Sequence, residues 1–234
     1  MQKVDLPNTV EGIFLRELKN RFICEVEING TPVICYVPSS CHLGNFLKLQ
    51  RRRVLLAKNQ GNKTRTEYAL FAMPYKRSYI LLSPAVANQA VATSLRGRRF
   101  SFLGARQHYR SEFKVDGYKA DLFIEDTKTI VEIKAVITTE AEAIFPTVFS
   151  ERALNQLSAL EQRLGSRQKV CLFVVSLNPY ARKLRINSDG EFYHVLTRCL
   201  DKGLILRAYC CRYSPKAGII IDKSIPIMIE CGDE

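Results

Sequence analysis

The chain has 234 residues, of which 47% are hydrophobic and 25% charged. This length allows one large domain or two modest ones, each with a buried core, and the composition excludes disorder as the default state. No apolar run approaches the ~18 residues of a membrane span, and the first residues lack the charged-then-apolar pattern of a secretion signal. We therefore expect a soluble cytoplasmic protein without a membrane partner.

Positive charge is confined to the first half of the chain. Residues 1–110 carry 18 Lys/Arg and 6 Asp/Glu, whereas residues 111–234 carry 17 of each, so the whole formal charge of +12 belongs to the first half. Such asymmetry favours a polyanion-binding module joined to a second unit. DNA or RNA is the expected partner, and the alternative is charge that serves solubility alone.

The eight cysteines do not have the spacing of a disulfide or zinc framework. No Cys-x-x-Cys pair occurs, and most of the cysteines stand among apolar residues, where a reduced thiol packs as a small hydrophobic side chain. Cys35, Cys41 and His42 offer three zinc ligands without an evident fourth. Reduced core thiols are therefore the prediction.

Short strands without an intervening helix fill the first part of the chain. Residue patterns predict strands over 12–18, 21–28, 31–37, 54–57, 65–73 and 79–82. Asn29-Gly30 predicts a type I′ turn between the second and third of these strands. Five or six strands in about 80 residues suit a small barrel of the OB type, which would occupy residues 1–83.

The basic residues of this first unit predict a surface for nucleic acid. OB-type barrels bind single strands on a basic face that carries aromatic side chains. A solvated edge that discourages aggregation is the alternative. The expected phosphate contacts are Arg51, Arg52, Arg53, Lys58, Lys63 and Arg65, continued after the barrel by Arg106 and Arg110.

Helices and strands alternate in the second unit, residues 84–234. A helix is predicted over residues 84–95, with Ser83 as its N-cap, and the basic run at 96–99 is interpreted as a hinge between the units. Further helices are predicted over 150–164 and 191–202, and strands over 169–176, 204–212, 218–221 and 225–229. The apolar run at 169–176 is typical of a central strand buried on both faces. The pattern predicts an α/β sheet flanked by helices.

The most informative stretch runs from residue 118 to 136. β-Branched and aromatic residues on both sides of the charged tetrad 125–128 predict two short strands joined by a polar turn. With the turn centred on the middle of that tetrad, Asp121 faces Glu132 across the strands, and Lys134 shares the face of Glu132.

Two opposed carboxylates in an apolar hairpin repel each other unless a cation or a proton lies between them. A hard divalent ion such as Mg²⁺, held by one or two carboxylates plus water, relieves the repulsion. A structural ion pair of Lys134 with Glu132 or Asp121 is the alternative, because burying a charge is costly unless it is paired or binds metal. The residues alone leave both interpretations open.

An acid, a spacer and then Glu-x-Lys on a hairpin resemble the PD-(D/E)xK nuclease signature, and the whole chain resembles the sugar fermentation stimulation protein A (SfsA) family. The matching points are Arg21-Phe22, Val37-Pro38, Asn88, Lys119-Ala120-Asp121, Val131-Glu132-Ile133-Lys134, Phe145-Pro146 and Arg152. The resemblance implies an N-terminal OB-like barrel and a C-terminal restriction-endonuclease-like α/β domain. It also implies DNA binding and metal-dependent nuclease chemistry, with Mg²⁺ or Mn²⁺ as the cofactor.

The resemblance gives the site residues their expected roles. The metal ligands would be Asp121, Glu132, the Ile133 carbonyl and, as an additional upstream acid, Glu112, for which a plain surface glutamate is the alternative. The metal would polarise the scissile phosphate and lower the pKa of a bound water. Lys134 would orient that water and stabilise developing negative charge. Arg152 would steady a phosphate oxygen.

The chain departs from the family pattern at several positions. The family usually carries Arg-Gly-x-Lys-His-Leu where this chain has Arg-Ala-Leu-Asn-Gln-Leu, so Asn155 and Gln156 are neutral amides. Likewise, Pro-Asn-Thr-Gly is replaced at residues 38–41, and Ala135 stands in place of Asn. These changes favour an alternative function, a DNA-binding transcriptional regulator without useful nuclease turnover. A structural α/β domain with an incidental ion pair is a third hypothesis, and the sequence is compatible with a monomer or a dimer.

Overall fold

The computed structural model describes residues 9–20, 22–39, 42–45, 47–59, 65–165, 168–214 and 218–229. The expected phosphate contact Lys63 lies outside these residues, as does Cys41, which was a candidate only in the disfavoured zinc alternative. The cysteines of the described part are buried and unpaired, as predicted, namely Cys24, Cys35, Cys171, Cys199, Cys210 and Cys211. None of the described helices has the length and apolar character needed to span a membrane.

The first half of the chain folds into the predicted barrel. Its strands are β1 (Thr9–Glu17), β2 (Ile23–Ile28), β3 (Thr31–Tyr36), β4 (Arg53–Lys58), β5 (Tyr68–Tyr75) and β6 (Ser78–Leu81). They are ordered β3-β2-β1-β4-β5-β6, and a short parallel pairing of β3 with β5 closes the sheet on itself. Asn29 and Gly30 have φ values of 50° and 80°, the left-handed conformations that a type I′ turn requires.

The second half contains three helices and nine strands within the described residues. These are helices α1 (Ala85–Ser94), α2 (Glu151–Glu161) and α3 (Glu191–Asp201), and strands β7 (Tyr109–Val115), β8 (Tyr118–Ile124), β9 (Thr129–Val136), β10 (Glu142–Phe145), β11 (Lys169–Ser176), β12 (Lys183–Ile186), β13 (Ile205–Ser214), β14 (Gly218–Ile225) and β15 (Ile227–Met228). The main sheet has the order β14-β13-β11-β9-β8-β7. Strand β11 lies between the parallel partners β9 and β13, which confirms the prediction of a central strand buried on both faces.

A second, smaller sheet was not predicted from the sequence. Strand β12 lies between β10 and β15 and pairs in parallel with both, in the order β10-β12-β15. Their lengths of four, four and two residues are too short for a periodicity of two to be recognised. This sheet carries the segment that joins β10 to α2, which forms one wall of the cavity described below.

The predicted cap and hinge around α1 need correction. Ser83 supplies only its backbone carbonyl, which accepts the Val86 amide at 3.1 Å, and no side chain caps the helix. The basic run after α1 enters a 3-10 helix, Arg98–Leu103, whose Phe100 is fully buried. Arg99 donates to the carbonyls of residues 221 and 222 in β14. These contacts pin the segment to the main sheet, so it cannot act as a hinge.

The barrel and the main sheet share one hydrophobic core. Buried side chains run without a break from Phe14 and Leu56 in the barrel, through Phe100, to Phe173 on β11. A second core lies on the opposite face of the sheet, between the strands and helices α2 and α3. The two units are therefore fixed in relation to each other, and a site can be built from both.

Helix α2 is held against α3 by charge as well as by apolar packing. Glu161 at the end of α2 accepts hydrogen bonds from Arg198 at 3.1 and 3.2 Å and from Lys202 at 2.9 Å. These bonds lower the pKa of the Glu161 carboxyl to about 2. At its other end, Ser150 accepts the Ala153 amide at 3.3 Å and caps the helix. The contacts at its two ends hold α2 in place, and α2 faces the hairpin of β8 and β9.

Candidate metal and phosphate site

The β8–β9 hairpin opens at the position of the two predicted acids. Backbone pairing runs from Ile124 with Thr129 to Leu122 with Val131. One step further, the same register sets Asp121 opposite Glu132, as the sequence predicted, but the backbone pairing stops before that pair. The Asp121 carboxylate instead accepts the Ile133 amide at 2.8 Å. A side chain thus replaces a ladder hydrogen bond.

Strand β7 is also irregular beside Asp121. Ser111 pairs with Leu122 and Phe113 with Ala120, so Glu112 lies opposite Asp121 by register. Glu112 has a φ of 51°, a left-handed conformation that is uncommon for a residue other than glycine. Side chains of β8 change face here, since Ala120 packs in the helix-side core and Leu122 in the barrel-side core. The change of face occurs at Asp121, which lines the cavity described next.

A cavity of about 370 Å³ lies between the open hairpin and helices α1 and α2. Both predicted acids and the predicted lysine line it, together with residues from four other parts of the chain. The polar and charged residues that line it include Ser39, Asn88, Asp121, Glu132, Lys134, Arg152 and Gln156. The two carboxylates therefore point into the same space, and the cavity is bounded by both units of the fold.

The Asp121 carboxylate is oriented by two donors. Its Oδ1 accepts from Asn88 Nδ2 on α1 at 3.0 Å, and its Oδ2 accepts from the Ile133 amide at 2.8 Å. Each oxygen of a carboxylate has two acceptor sites, so both oxygens keep capacity for a further ligand. Asp121 is thus held in one orientation without being fully used.

Glu132 is nearly inaccessible to solvent, with 1% of its surface exposed. Its Oε1 accepts from Lys134 Nζ at 2.7 Å, and its Oε2 accepts from the Tyr118 hydroxyl. Burial raises the pKa of the Glu132 carboxyl, and the nearby Asp121 adds to that rise, whereas Lys134 and the Tyr118 hydrogen bond oppose it. Burial and the adjacent Glu132 also raise the pKa of the Tyr118 phenol, so Tyr118 stays a donor.

Lys134 connects the hairpin to α2. Besides Glu132, its Nζ donates to Gln156 Oε1 at 2.6 Å. An ammonium has three donors, so one remains for a ligand in the cavity. Arg152 lies one helical turn before Gln156 on the same helix, is exposed, and lines the cavity rim. The cavity therefore has acids at its base and cations at its side.

The donor set fits a hard divalent cation. Two carboxylates and one ammonium in the buried part of the cavity leave one negative charge when both acids are ionised. Mg²⁺ is commonly held by one or two carboxylates with water completing its octahedron. No group of three or more His, Cys, Asp and Glu residues suited to a metal occurs in the described residues.

Glu112 does not belong to this ligand set. Its carboxylate accepts from Lys119 Nζ at 2.7 Å, and 68% of its side chain is exposed. It does not line the cavity. The expectation of Glu112 as an additional metal ligand is therefore corrected to a surface ion pair with Lys119.

Two of the expected phosphate contacts serve the fold instead. Arg106 donates to four backbone carbonyls at 2.7–3.3 Å, which include those of Leu95 and Gly97, so its guanidinium supports the end of α1. Arg110 pairs with Glu125 and lies over the ring of Phe113 at 4.8 Å. Neither lines the cavity.

The cations of the barrel remain separate from the cavity. Arg51, Arg52, Arg53, Lys58 and Arg65 are all exposed, and none of them lines it. Lys58 lies 3.5 Å from Glu67, a distance typical of a weak surface pair. Of the expected phosphate contacts in the described residues, the structure brings Arg152 alone to the cavity.

Sequence reasoning did not assign a role to several residues of the site. Tyr118 and Gln156 hold Glu132 and Lys134, while Asn88 holds Asp121. Asn88 appeared only as a point of family resemblance, and Gln156 only as a departure from it. Tyr118 could have been considered from the sequence, because it is the first residue of the strand that carries Asp121.

Comparisons with known proteins agree with this architecture. A family model described as "Sugar fermentation stimulation protein RE domain" matches residues 85–217, and one described as "SfsA N-terminal OB domain" matches residues 17–82. A sugar fermentation stimulation protein homolog of Natranaerobius thermophilus is 25% identical over 232 residues, covering 95% of each chain. A homolog of Clostridium kluyveri is 27% identical over 211 residues, covering 87% of this chain and 90% of the other.

A solved structure has the same fold. The structure of Pyrococcus furiosus SfsA in complex with Ca²⁺ matches with a TM-score of 0.83 and 18% identity, covering 98% of this chain and all of the other. Both halves of the chain therefore have counterparts in one known two-domain architecture.

Proposed function

The chain belongs to the sugar fermentation stimulation protein (SfsA) family, and we propose that it binds nucleic acid and hydrolyses phosphodiester bonds with a divalent metal ion, Mg²⁺ or Mn²⁺. The observation that carries this proposal is the convergence of Asp121, Glu132 and Lys134 in one open cavity. Two opposed carboxylates with an adjacent ammonium are a poor structural ion pair, because one charge stays uncompensated. The same set suits a metal ion and a phosphate.

The expected metal ligands are Asp121 and Glu132, with the Ile133 carbonyl as a further candidate. A metal ion bound there would polarise the phosphate and lower the pKa of a water molecule. Asn88 and the Ile133 amide keep Asp121 aimed at the cavity, and Tyr118 does the same for Glu132. These hydrogen bonds support the proposed function, because contacts that orient the ligands of a metal ion increase the affinity for that ion.

Lys134 contributes positive charge where the phosphate becomes more negative. Its ammonium is held between Glu132 and Gln156, so its remaining donor has a defined direction. A donor that is already in place stabilises the transition state without reorganisation. In this mechanism Lys134 orients the attacking water and neutralises charge, while Arg152 at the rim steadies a non-bridging oxygen.

Several features support nucleic acid as the substrate class. The barrel is of a type that binds single strands, and its exposed arginines can hold a backbone beyond the cavity. Ser39 of the barrel lines the cavity, so a bound strand can contact both units. The relative from Pyrococcus furiosus was solved with Ca²⁺, a hard cation with the same preference for oxygen ligands.

Incubation of the pure full-length chain with labelled single- and double-stranded DNA and RNA tests the proposal. We expect cleavage that requires Mg²⁺ or Mn²⁺ and stops when EDTA is added. Binding without cleavage of any of these substrates, at any metal concentration, would contradict the nuclease function. It would favour the second candidate, a nucleic-acid-binding regulator.

Helix α2 carries the observation that favours this second candidate. Asn155 is exposed and lines a groove beside Arg152, where the family pattern has a lysine. Asn155→Lys adds one cation to that groove, and we expect tighter strand binding with a salt dependence steeper by about one phosphate contact. If the chain is a nuclease, KM should fall together with the Kd.

Fluorescence anisotropy at several salt concentrations measures the Asn155→Lys effect, with cleavage assayed in parallel. Asn155→Gln is the matched control, since it lengthens the side chain without adding charge. An unchanged salt dependence in Asn155→Lys would show that no phosphate approaches α2.

A further inference from the structure

A large aromatic side chain stands beside the proposed catalytic cavity without packing in either core. Phe149 is 73% exposed, more than any other large hydrophobic residue among those described, and the adjacent Val148 is 42% exposed. Both belong to the segment that joins β10 to α2. An exposed aromatic ring at this position is available for stacking, and aromatic side chains are the usual platforms for unpaired bases.

The segment that carries Phe149 is anchored. Thr147 donates to the Ile144 carbonyl at 3.0 Å, and Ser150 caps α2. The carbonyl of Phe145 accepts the Asn187 amide at 2.8 Å. Phe149 is therefore presented on a supported backbone, which lowers the entropy cost of stacking a ligand on it.

Phe149 lines a hollow that adjoins the cavity. The hollow measures about 250 Å³ and shares Pro146, Ser150 and Ala153 with the cavity wall. Val148, the neighbour of Phe149, lines the cavity itself. The volume of the hollow is below the ~300 Å³ at which sites for drug-sized ligands begin, so the hollow suits a single planar ring system.

Charge decides which part of a nucleotide fits each space. The hollow is lined by Asp189 and Glu191, and no lysine or arginine is among the described residues that line it. Phosphate would be repelled there, whereas a base is neutral and carries amino groups that donate to carboxylates. The cavity next to it has Lys134 and Arg152. A nucleotide bound across the two spaces would direct its phosphate to the cations and its base to Phe149.

A second copy of the chain is a poorer occupant. A stable protein–protein interface buries more than about 1,000 Å² in total, which two exposed side chains cannot supply. A single base stacked on Phe149 needs only one ring face.

We propose that Phe149 stacks an unpaired base next to the scissile phosphate, so that the substrate is single-stranded or locally unpaired nucleic acid. This inference rests on the proposed function for the chemistry of the adjoining cavity. Bases of an intact duplex are already stacked on each other, so a duplex reaches Phe149 only after a base is unstacked. The expected order of preference is therefore single strand or frayed end over intact duplex.

Strand binding by the full chain in the presence of Mg²⁺ tests the inference, with a cleavage-resistant phosphorothioate strand that contains a fluorescent adenine analogue. Anisotropy reports affinity, and quenching of the analogue reports stacking. We expect Phe149→Ala to weaken single-strand binding on the order of tenfold, the effect of losing one stacked base, and to abolish the quenching. Phe149→Trp should keep both, and duplex affinity should change little.

The matched control is Met228→Ala, which removes an apolar side chain that is 49% exposed and lines neither space. It should behave as the unmodified chain. Unchanged single-strand affinity and quenching in Phe149→Ala would overturn the inference. So would a change from dimer to monomer in Phe149→Ala with strand binding intact, since a second copy would then be the occupant.

The inference and the proposed function fail in different ways. If the unmodified chain cleaves nothing while Phe149→Ala loses strand binding, the nuclease function is wrong and base stacking stands. If Phe149→Ala cleaves single strands with unchanged KM and unchanged metal requirement, base stacking is wrong and the nuclease function stands.

Discussion

Lys134→Ala is expected to lower kcat for phosphodiester cleavage by about 10²–10³-fold, the usual effect of removing one preorganised donor from a site of developing charge. Lys134 Nζ donates to both Glu132 and Gln156, so its position is set before a substrate arrives. Affinity for the metal should change far less than kcat, because the ammonium is not a ligand. Single-turnover cleavage at saturating metal concentration measures the effect.

Lys119→Ala is the matched control, since it removes a lysine of the same hairpin that pairs with the exposed Glu112. It should leave kcat within about twofold of the unmodified value, as expected for a surface pair of little energy. Cleavage that persists at full rate in Lys134→Ala would indicate a contaminating nuclease or a different active site.

Lys134→Met is expected to destabilise the metal-free protein by about 3 kcal/mol at neutral pH. This is the lower end of the range for breaking a buried ion pair, since 20% of the Lys134 side chain is exposed. Methionine keeps the apolar stem and removes the charge. Glu132, which is 1% exposed, then loses the cation that stabilises its ionised form.

The sign of the pH dependence follows from the pKa of Glu132. Burial raises that pKa in the folded protein above its ordinary value of 4.5, and loss of Lys134 removes a contact that lowers it. The folded state therefore binds a proton more readily than the unfolded state, and stability falls as pH rises through the folded pKa. We expect the deficit of Lys134→Met to shrink as pH falls toward 4.5.

Denaturant unfolding in EDTA over a series of pH values measures this deficit. When Lys134→Met is added to Glu132→Gln, the further loss of stability relative to Glu132→Gln alone should not depend on pH. A deficit of Lys134→Met that is equal at every pH would mean that lost packing, and not charge on Glu132, is responsible.

The hairpin register could be predicted because it depends on local chemistry. The four-residue turn at 125–128 sets Leu122 opposite Val131, and counting from the turn then aligns Asp121 with Glu132. The barrel and the buried strand β11 were predictable for the same reason, since a periodicity of two or a continuous apolar run marks each of them.

The rest of the site comes from residues distant in sequence. Asn88 lies 33 residues before Asp121, and Gln156 lies 22 residues after Lys134, so the sequence gives no periodic signal that links them. The core shared by the barrel and the main sheet likewise depends on contacts between residues that are distant in sequence. A basic run after α1 is typical of a hinge, but Phe100 and Arg99 dock that segment onto the main sheet through contacts with distant strands.

Arg106 and Glu112 show why charge alone did not identify functional residues. Sequence patterning treats every cation near the hairpin as a candidate for phosphate, yet the Arg106 guanidinium is occupied by backbone carbonyls. Glu112 has a positive φ and pairs with Lys119 on the surface, outside the cavity. Neither hydrogen-bond satisfaction nor a positive φ at a glutamate can be read from composition.

Calorimetric titration of the full chain with Mn²⁺ is the most direct test of the central claim, that Asp121 and Glu132 together hold a divalent ion. We expect a single site per chain in the unmodified protein, with binding lost in Asp121→Asn, which removes the negative charge and keeps one oxygen that can still accept the Ile133 amide. Equal Mn²⁺ affinity in the two proteins, or no binding to either, would contradict the account.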